Sequence, residues 1–532
     1  MDVLLIGIDA ACRRILEPLF ADDRLPALSS LLADGVAVPL ESHVPPWTPA
    51  MWPSIYTGVN PGKHGVFSFL HYEGYDWDVI SAEQVREHAL WELLDYHDET
   101  SVVVNVPVTH PPSSFDGALL PGYTAPESPD CHPPGVLKAV TDAIGPYQLY
   151  PDRDGTTNPD AYTELVGQRG AAFRYLAEQY DPSFGFLQFQ ATDTVFHEHP
   201  GDHTLVEAIY ERVDTEIERT LDQFDPNTVF VVSDHGIGEY TGVGFRMNTF
   251  LERHGYVETT ESGAGMPSWE PIRDGQLRSG GDDTSASPEL LTHIGAALSR
   301  VGITTRRVGR LLDRAGLTDT VASIVPDGLV RAGQRQIDFP SSRAFMRARI
   351  ELGVRINLEG RDPAGVVAPE EYDAVRSSLI ELLSGVKTPG GEPVFERVGP
   401  REEFFDGPYA DEAVDIVTIP NEYNHFLTAD LLAEPFGPPG QPWNHKREGI
   451  FIAAGTDIEH ARISPHLFDV APTVLSALEI PPSDRMDGTV LPIVEPVAPQ
   501  SYPPYETDES DTRGGDGAVA DRLATLGYLD RT

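Results

Sequence analysis

Residues 228–236 read TVFVVSDHG: a β-rich run, Thr228–Val232, that ends at once in Ser233, Asp234, His235 and Gly236. A run with no polar face predicts a strand buried on both sides, and the polar cluster marks where the chain leaves the sheet. The pattern recurs. Val3–Ile8 ends at Asp9, Ser101–Val106 stops before Pro107, and Phe184–Phe189 leads to Asp193. Val414–Ile419 precedes Pro420, and Gly449–Ala453 follows His445. Helical stretches lie between these runs, among them Leu25–Leu32, Asp160–Gln179 and Thr204–Phe224. Alternation of this kind predicts an α/β fold with a mostly parallel sheet covered by helices. In such sheets ligands sit at the carboxyl ends of the strands.

Outward from the strands, composition changes twice. Residues 257–342 open rich in Gly, Ser, Thr and Asp and continue as modest arginine-rich helices over Pro288–Val301, Thr305–Ala315 and Thr318–Ile324. This stretch is expected to be a helical insertion or lid that divides the catalytic domain into residues 1–256 and 343–495. It can cover the strand edge and shape substrate choice. Its arginines, such as Arg306, Arg307 and Arg310, read as solvated positive residues of an acidic protein rather than as substrate contacts. Residues 496–517 are rich in Pro, Asp, Glu and Gly and read as an acidic flexible linker. Residues 518–532 contain a short amphipathic helix, Ala518–Leu529, expected to dock back on the body.

The chain has 532 residues, 40% of them hydrophobic, and a formal net charge of -45. Its only lysines are Lys63, Lys138, Lys387 and Lys446. A surface this acidic repels polyanions, so docking of nucleic acid or an anionic membrane is not expected. The acid excess with so little lysine fits a halophile's surface, solvated in concentrated salt. Cys12 and Cys131 cannot build a disulfide framework or a thiolate zinc site, so a reducing compartment is the default. Asp2 and Asp9 interrupt any secretory core near the N-terminus, and no apolar run reaches the ~18 residues of a membrane span. The expectation is a soluble, cytoplasmic protein.

The positions of the acids point to chemistry. Asp9, Asp193 and the pair Asp234-His235 all lie just beyond buried strands, where they would gather on one edge of the sheet. Uncompensated carboxylates there are costly, and a divalent cation is the usual remedy. A single strand-end aspartate is commonly a turn or cap residue; three, with histidines close by, favour a metal site. Asp193 and His197, four apart, share a helical face if Thr194 onward is helical. His199 and His203 compete for that role but sit beside Pro200 and Gly201, as surface histidines do. Gly236 is expected to allow a tight turn after Asp234-His235. Thr48, in PPWTPAMWPS (residues 45–54), follows an irregular proline-rich loop and opens a helix, where exposed N–H groups favour an anion. Taken alone, Thr48 reads as an N-cap with Pro49 behind it.

In chain order, Asp9, Thr48, Asp193, His197, Asp234, His235 and a late histidine resemble the alkaline phosphatase superfamily. The nearest branch is the type I phosphodiesterase/nucleotide pyrophosphatase group, including archaeal phosphohydrolase/phosphomutase proteins. PPWTPAMWPS with Thr57-Gly58 and Lys63-His64-Gly65 is similar to the nucleophile segment. Residues 104–107, 355–361, 468–473, 486–488 and 526–528 also look like segments of that family. The resemblance implies an alkaline phosphatase-like three-layer sandwich. It implies one metal held by Asp9, Asp234, His235 and the Thr48 oxygen, and another held by Asp193, His197 and His445. His425, His460 and His466 compete with His445, which is favoured by its place before the strand Gly449–Ala453. His64 is expected to be structural. Nitrogen and oxygen ligands suit Zn2+, with Mn2+ as the alternative.

The activity so implied is metal-dependent hydrolysis of a small phosphorylated substrate, a phosphodiester or phosphomonoester, through a phosphothreonine on Thr48. Alternatives on the same site are a phosphomutase or phosphoryl transferase and, more remotely, an inactive binding protein. Two departures matter. The asparagine that nucleotide pyrophosphatases carry about twenty residues beyond the nucleophile has no counterpart in Phe67-Ser68-Phe69-Leu70, and no Cys-x-Pro-x-Arg segment marks a sulfatase.

Overall fold

The computed structural model describes residues 1–151, 159–260 and 335–505. A seven-stranded sheet forms its centre. In chain order its strands are β1 (Val3–Ile8), β2 (Gly35–Glu41), β3 (Ser101–Val104), β4 (Gly117–Leu120), β5 (Phe184–Phe189), β6 (Thr228–Val232) and, later, Glu448–Gly455. Across the sheet the order is β2, Glu448–Gly455, β6, β1, β5, β3, β4. β1 runs parallel to β5 and β6, and β3 runs parallel to β4 and β5. Glu448–Gly455 lies antiparallel between β2 and β6. The sheet is therefore mostly parallel, as the strand–helix alternation requires.

Strand pleating divides β1 between two cores. Leu4, Ile6 and Ile8 pack on one face with the helices α3 (Pro159–Tyr180) and α5 (His203–Phe224). Val3 and Leu5 pack on the other with α2 (Thr48–Thr57) and the helix Val470–Ala477. α1 (Pro26–Asp34) joins the first of these cores. The result is helix, sheet, helix in three layers. All ten residues of α2 are buried, as expected of a helix apolar on every side. Gly58 ends α2 in the left-handed conformation, its N–H donating to Ser54 O at 3.0 Å.

The expected strands beyond the central sheet behave differently. Val414–Ile419 shares the sequence pattern of β1, yet its strand, Ile416–Pro420, lies in a separate four-stranded antiparallel sheet. Its neighbours are Gly353–Ile356 and Phe395–Pro400. Both kinds of sheet bury such a run equally, so apolar content does not choose between them. This smaller lobe has its own core, including Ile356, Leu379, Phe395 and Val417. Ser101–Val106 is a strand only to Val104, because Asn105 turns left-handed at φ 67°.

Of residues 257–342, positions 261–334 lie outside the described residues, including the three expected helices and their arginines. The flanks Thr259–Thr260 and Gln336–Ile337 pair antiparallel. Of the expected linker and docking helix, residues 506–532 also lie outside. Residues 496–505 run along the body, where Tyr502 is buried and Arg485 Nη1 donates to its carbonyl at 3.1 Å. No described helix is long and apolar enough to cross a membrane.

Candidate active site

The carboxyl edge of the sheet gathers the expected side chains by four routes. Asp9 follows β1 directly, and Asp234-His235 follow β6. A helix α4 (Ala191–Glu198) begins just after β5 and carries Asp193 and His197 one turn apart on one face. Thr192 Oγ1 ties that helix to β1, donating to Asp9 O at 2.7 Å. Thr48 is the first residue of α2. The fourth route is a two-stranded ribbon of Gly236–Glu239 with Trp443–Lys446, which pairs Ile237 with His445 and so sets His445 beside His235. Those two imidazoles stack, centroids 3.6 Å apart.

Gly236 does something other than expected. Its φ is not in the left-handed region, and it opens a strand rather than a turn. A Cβ there would sit 2.1 Å from Glu448 O, so close backbone approach, not turning, demands glycine.

Two groups of ligand atoms result. In one, His197 Nε2 lies 3.0 Å from His445 Nε2, and both lie 3.3 Å from Asp193 Oδ1. In the other, His235 Nε2 lies 3.2 Å from Asp234 Oδ2, 3.6 Å from Asp9 Oδ1 and 3.4 Å from Thr48 Oγ1. Atoms that bind one tetrahedral ion at 2.0–2.1 Å stand roughly 3.3 Å apart, so both groups have the spacing of a coordination shell.

The hydrogen bonds agree with that reading. Carbonyl oxygens only accept, so His445 Nδ1 donates to Pro46 O at 2.9 Å and His235 Nδ1 donates to Gly236 O at 3.0 Å. Each bond fixes the tautomer whose Nε2 is unprotonated, an acceptor that can turn to a cation. Asp9 Oδ2 accepts from Trp52 Nε1 at 2.9 Å and from Gln188 Nε2 at 3.0 Å. Gln188 is itself oriented by Asn105 Nδ2, which donates to Gln188 Oε1 at 2.7 Å. The remaining oxygens, Asp9 Oδ1, Asp193 Oδ1 and Asp234 Oδ2, are buried without any hydrogen-bond donor. Three orphaned carboxylate oxygens facing unprotonated imidazole nitrogens fit divalent cations.

Electrostatics describe the same deficit of positive charge. Burial, then the facing carboxylates, pushes Asp9 well above the usual carboxylate range. Asp234 is also raised, by burial and then by Asp193. Burial depresses His235 and His445. Asp193 is held low: burial opposes ionisation, and the facing His197 and His445 outweigh it.

The competing histidines have other duties. His199 has a ring nitrogen 3.1 Å from Tyr162 OH, and His203 packs against Trp443. His64 is buried, its Nδ1 accepting from Val66 N and its Nε2 lying 2.9 Å from Ser54 Oγ. His425 Nδ1 accepts from Val243 N, His466 caps a turn at Phe468 N, and His460 is exposed. Trp52, Gln188 and Asn105 were not anticipated as parts of the site. Two signals were available: Gln188 is the one polar side chain in Phe184–Phe189, and Trp52 stands one helical turn after Thr48. Gly7 belongs with them, since a Cβ there would meet the Trp52 ring at 2.5 Å.

The family model described as type I phosphodiesterase / nucleotide pyrophosphatase matches residues 3–298 of the chain. No curated protein sequence gives a significant match. Among solved structures, phosphonoacetate hydrolase from Sinorhizobium meliloti 1021, in complex with phosphonoacetate, aligns at 15% identity and a TM-score of 0.53. The alignment covers 90% of this chain and 95% of that one. The alkaline phosphatase PafA aligns at 15% identity and a TM-score of 0.51, over 92% of this chain and 98% of that one. At such identities these likenesses speak for the fold.

Proposed function

The chain belongs to the type I phosphodiesterase / nucleotide pyrophosphatase family, a metal-dependent phosphoester hydrolase, and we propose that Thr48 is its nucleophile. In this reading Asp9, Asp234, His235 and Thr48 hold one divalent cation, and Asp193, His197 and His445 hold a second. The carrying observation is the set of three buried, donor-free carboxylate oxygens beside unprotonated imidazole nitrogens. Zn2+ suits these nitrogen and oxygen donors, with Mn2+ as the alternative.

Such cations, when bound, lower the pKa of a nearby hydroxyl and neutralise charge that builds on phosphoryl oxygens. The protein's own part is positional. The Thr48 hydroxyl gives its proton to solvent, and Oγ1 attacks phosphorus in line. The P–O bond to the leaving group breaks with its electron pair, which departs as the alkoxide and takes up a proton. A water molecule then attacks the phosphothreonine and gives up a proton, while Thr48 leaves with the electron pair of its own P–O bond and takes up a proton to restore its hydroxyl. Trp52 and Gln188 fix the Asp9 carboxylate, and Pro46 O fixes the His445 ring. A residue held in place on both sides needs no reorganisation when charge develops. The small phosphorylated substrate enters at the strand edge. Residues 257–342 act as an insertion in the catalytic domain; support comes from the antiparallel pairing of its two flanks, which sets exit and re-entry side by side.

Thr48→Ala is the direct test, assayed with added Zn2+ or Mn2+ on bis-(p-nitrophenyl) phosphate and p-nitrophenyl phosphate. Loss of roughly a thousandfold or more in kcat, with metal content retained, is expected of a lost nucleophile. Unchanged turnover in the variant would falsify the assignment. Accumulation of a rearranged phosphate ester, with no free phosphate, would move the reading to a mutase or transferase.

A further inference from the structure

One oxygen of Asp9 is already fully engaged by the protein. A carboxylate oxygen accepts about two hydrogen bonds, and Asp9 Oδ2 receives Trp52 Nε1 at 2.9 Å and Gln188 Nε2 at 3.0 Å. Asp9 Oδ1, buried and without a donor, is the oxygen that remains. Both donors lie against Gly7, where a Cβ would meet the Trp52 ring at 2.5 Å and Gln188 Cγ at 3.0 Å.

An amide has a donor end and an acceptor end, and Asn105 decides which end of Gln188 faces Asp9. The polarity is set by a backbone carbonyl, which only accepts. Asn105 Nδ2 donates to Gln188 O at 3.1 Å, so the nitrogen of Asn105, not its oxygen, lies against β5. The second proton on that nitrogen goes to Gln188 Oε1 at 2.7 Å. With Oε1 so engaged, Gln188 Nε2 faces the other way and donates to Asp9 Oδ2 and, at 3.1 Å, to Gln190 Oε1. All four amide protons are used. The backbone holds Asn105 in place: its φ of 67° turns it out of β3, and its N–H donates to Leu120 O at 2.9 Å. Asn105 and Gln188 are both buried, so water does not compete for these bonds.

We infer that Asn105 is a positioning residue for the cation: acting through Gln188, it restricts Asp9 to ligation by one oxygen, and the site thereby favours Zn2+ over Mn2+. The inference rests on the two-cation reading above and adds the choice of cation to it. Asp234 is limited in the same way, with Oδ1 accepting from Ala10 N and Oδ2 bare. Single oxygens from Asp9 and Asp234, with His235 Nε2 and Thr48 Oγ1, make the four ligands that Zn2+ takes. Mn2+ takes more oxygen ligands in an octahedral shell, and a carboxylate free to chelate with both oxygens supplies an extra one.

The test is equilibrium dialysis of the full-length chain against a buffered mixture of Zn2+ and Mn2+, with bound metal measured by elemental analysis. Asn105→Asp keeps the shape and tolerates the left-handed conformation, but sets an acceptor against Gln188 O and Oε1 and removes the reason for the Gln188 amide to face as it does. Gln188→Met is a second variant that keeps the length and removes the donor without adding charge. Each should raise the ratio of bound Mn2+ to bound Zn2+ about tenfold over wild type. Residues that only supported the fold would lower uptake of both metals together and leave their ratio alone. A ratio unchanged in both variants therefore overturns the role of Asn105 and leaves the hydrolase standing. A wild type that binds neither metal overturns the two-cation reading and this inference with it.

Discussion

Asp234 and Asp415 are both fully buried aspartates, and they solve burial in opposite ways. Asp415 sits in the smaller lobe among donors. Arg361 Nη1 and Nη2 donate to it at 2.7 and 2.8 Å, Arg401 Nη1 at 2.9 Å, Tyr372 OH at 2.7 Å and Ile356 N at 2.7 Å. Burial alone would raise its pKa, but Arg361 and its neighbours hold it at about 2. Asp234 has only backbone donors, Ala10 N among them at 3.4 Å, and an oxygen with none. Its neighbours are carboxylates and depressed imidazoles, and its pKa moves up. The first cluster is complete within the chain. The second lacks such partners within the chain and, in the proposed reading, is completed by cations; that difference separates a structural ion network from a candidate site.

The comparison breaks most visibly at Asp415. Asp415→Asn leaves Arg361 and Arg401 without their shared counter-charge, and should lower unfolding free energy by about 3–5 kcal/mol. Denaturant titration would measure it. A loss near zero would mean that this network is not self-sufficient.

Acid should expose the same carboxylate at a lower cost. A folded pKa of about 2 lies below the ordinary 3.8, so its stabilisation is present above about pH 4 and is lost as pH falls through about 2. The loss should be on the order of 2 kcal/mol. Asp415→Asn should flatten that part of the stability–pH curve, and an identical curve in the variant would remove Asp415 from the account.

The smallest effect carries the opposite sign. A carboxyl group with a raised folded pKa costs stability once pH exceeds that value, so Asp234 weakens the metal-free protein at neutral pH. Asp234→Asn should therefore stabilise chelator-treated protein slightly while abolishing activity and lowering metal content. Destabilisation of the metal-free form would show that Asp234 is held by interactions other than a cation.

Several of these contrasts were legible before folding. Asp9, Asp193 and Asp234 each follow a strand, and a strand end projects its next residue from the sheet edge. Asp415 stands at the other end of an apolar run, one residue before the strand Ile416–Pro420, and nothing in its spacing shows which donors will meet it. The run Val414–Ile419 has the same apolar pattern as the central strands, because burial is alike in both sheets and sequence does not reveal a strand's partners. Gln188 is a polar residue in mid-strand, with its bond to Asp9 likewise unreadable from spacing. The left-handed turn at Tyr423 left no signal at all: its carbonyl is held by Lys446, more than twenty residues away.

What the sequence determined by itself was local: which segments are buried strands, which helix starts at Thr48, and that Asp193 and His197 share one helical face. Those follow from periodicity and steric preference over a few residues. Only the tertiary structure decided that His445, and not His425 or His466, meets Asp193. It also decided that Pro46 and Gly236 leave the two Nε2 atoms unprotonated, and that three carboxylate oxygens remain without donors. Such facts join residues hundreds of positions apart. They exist only once sheet order and the Gly236–Glu239 ribbon have brought those residues within 4 Å of one another.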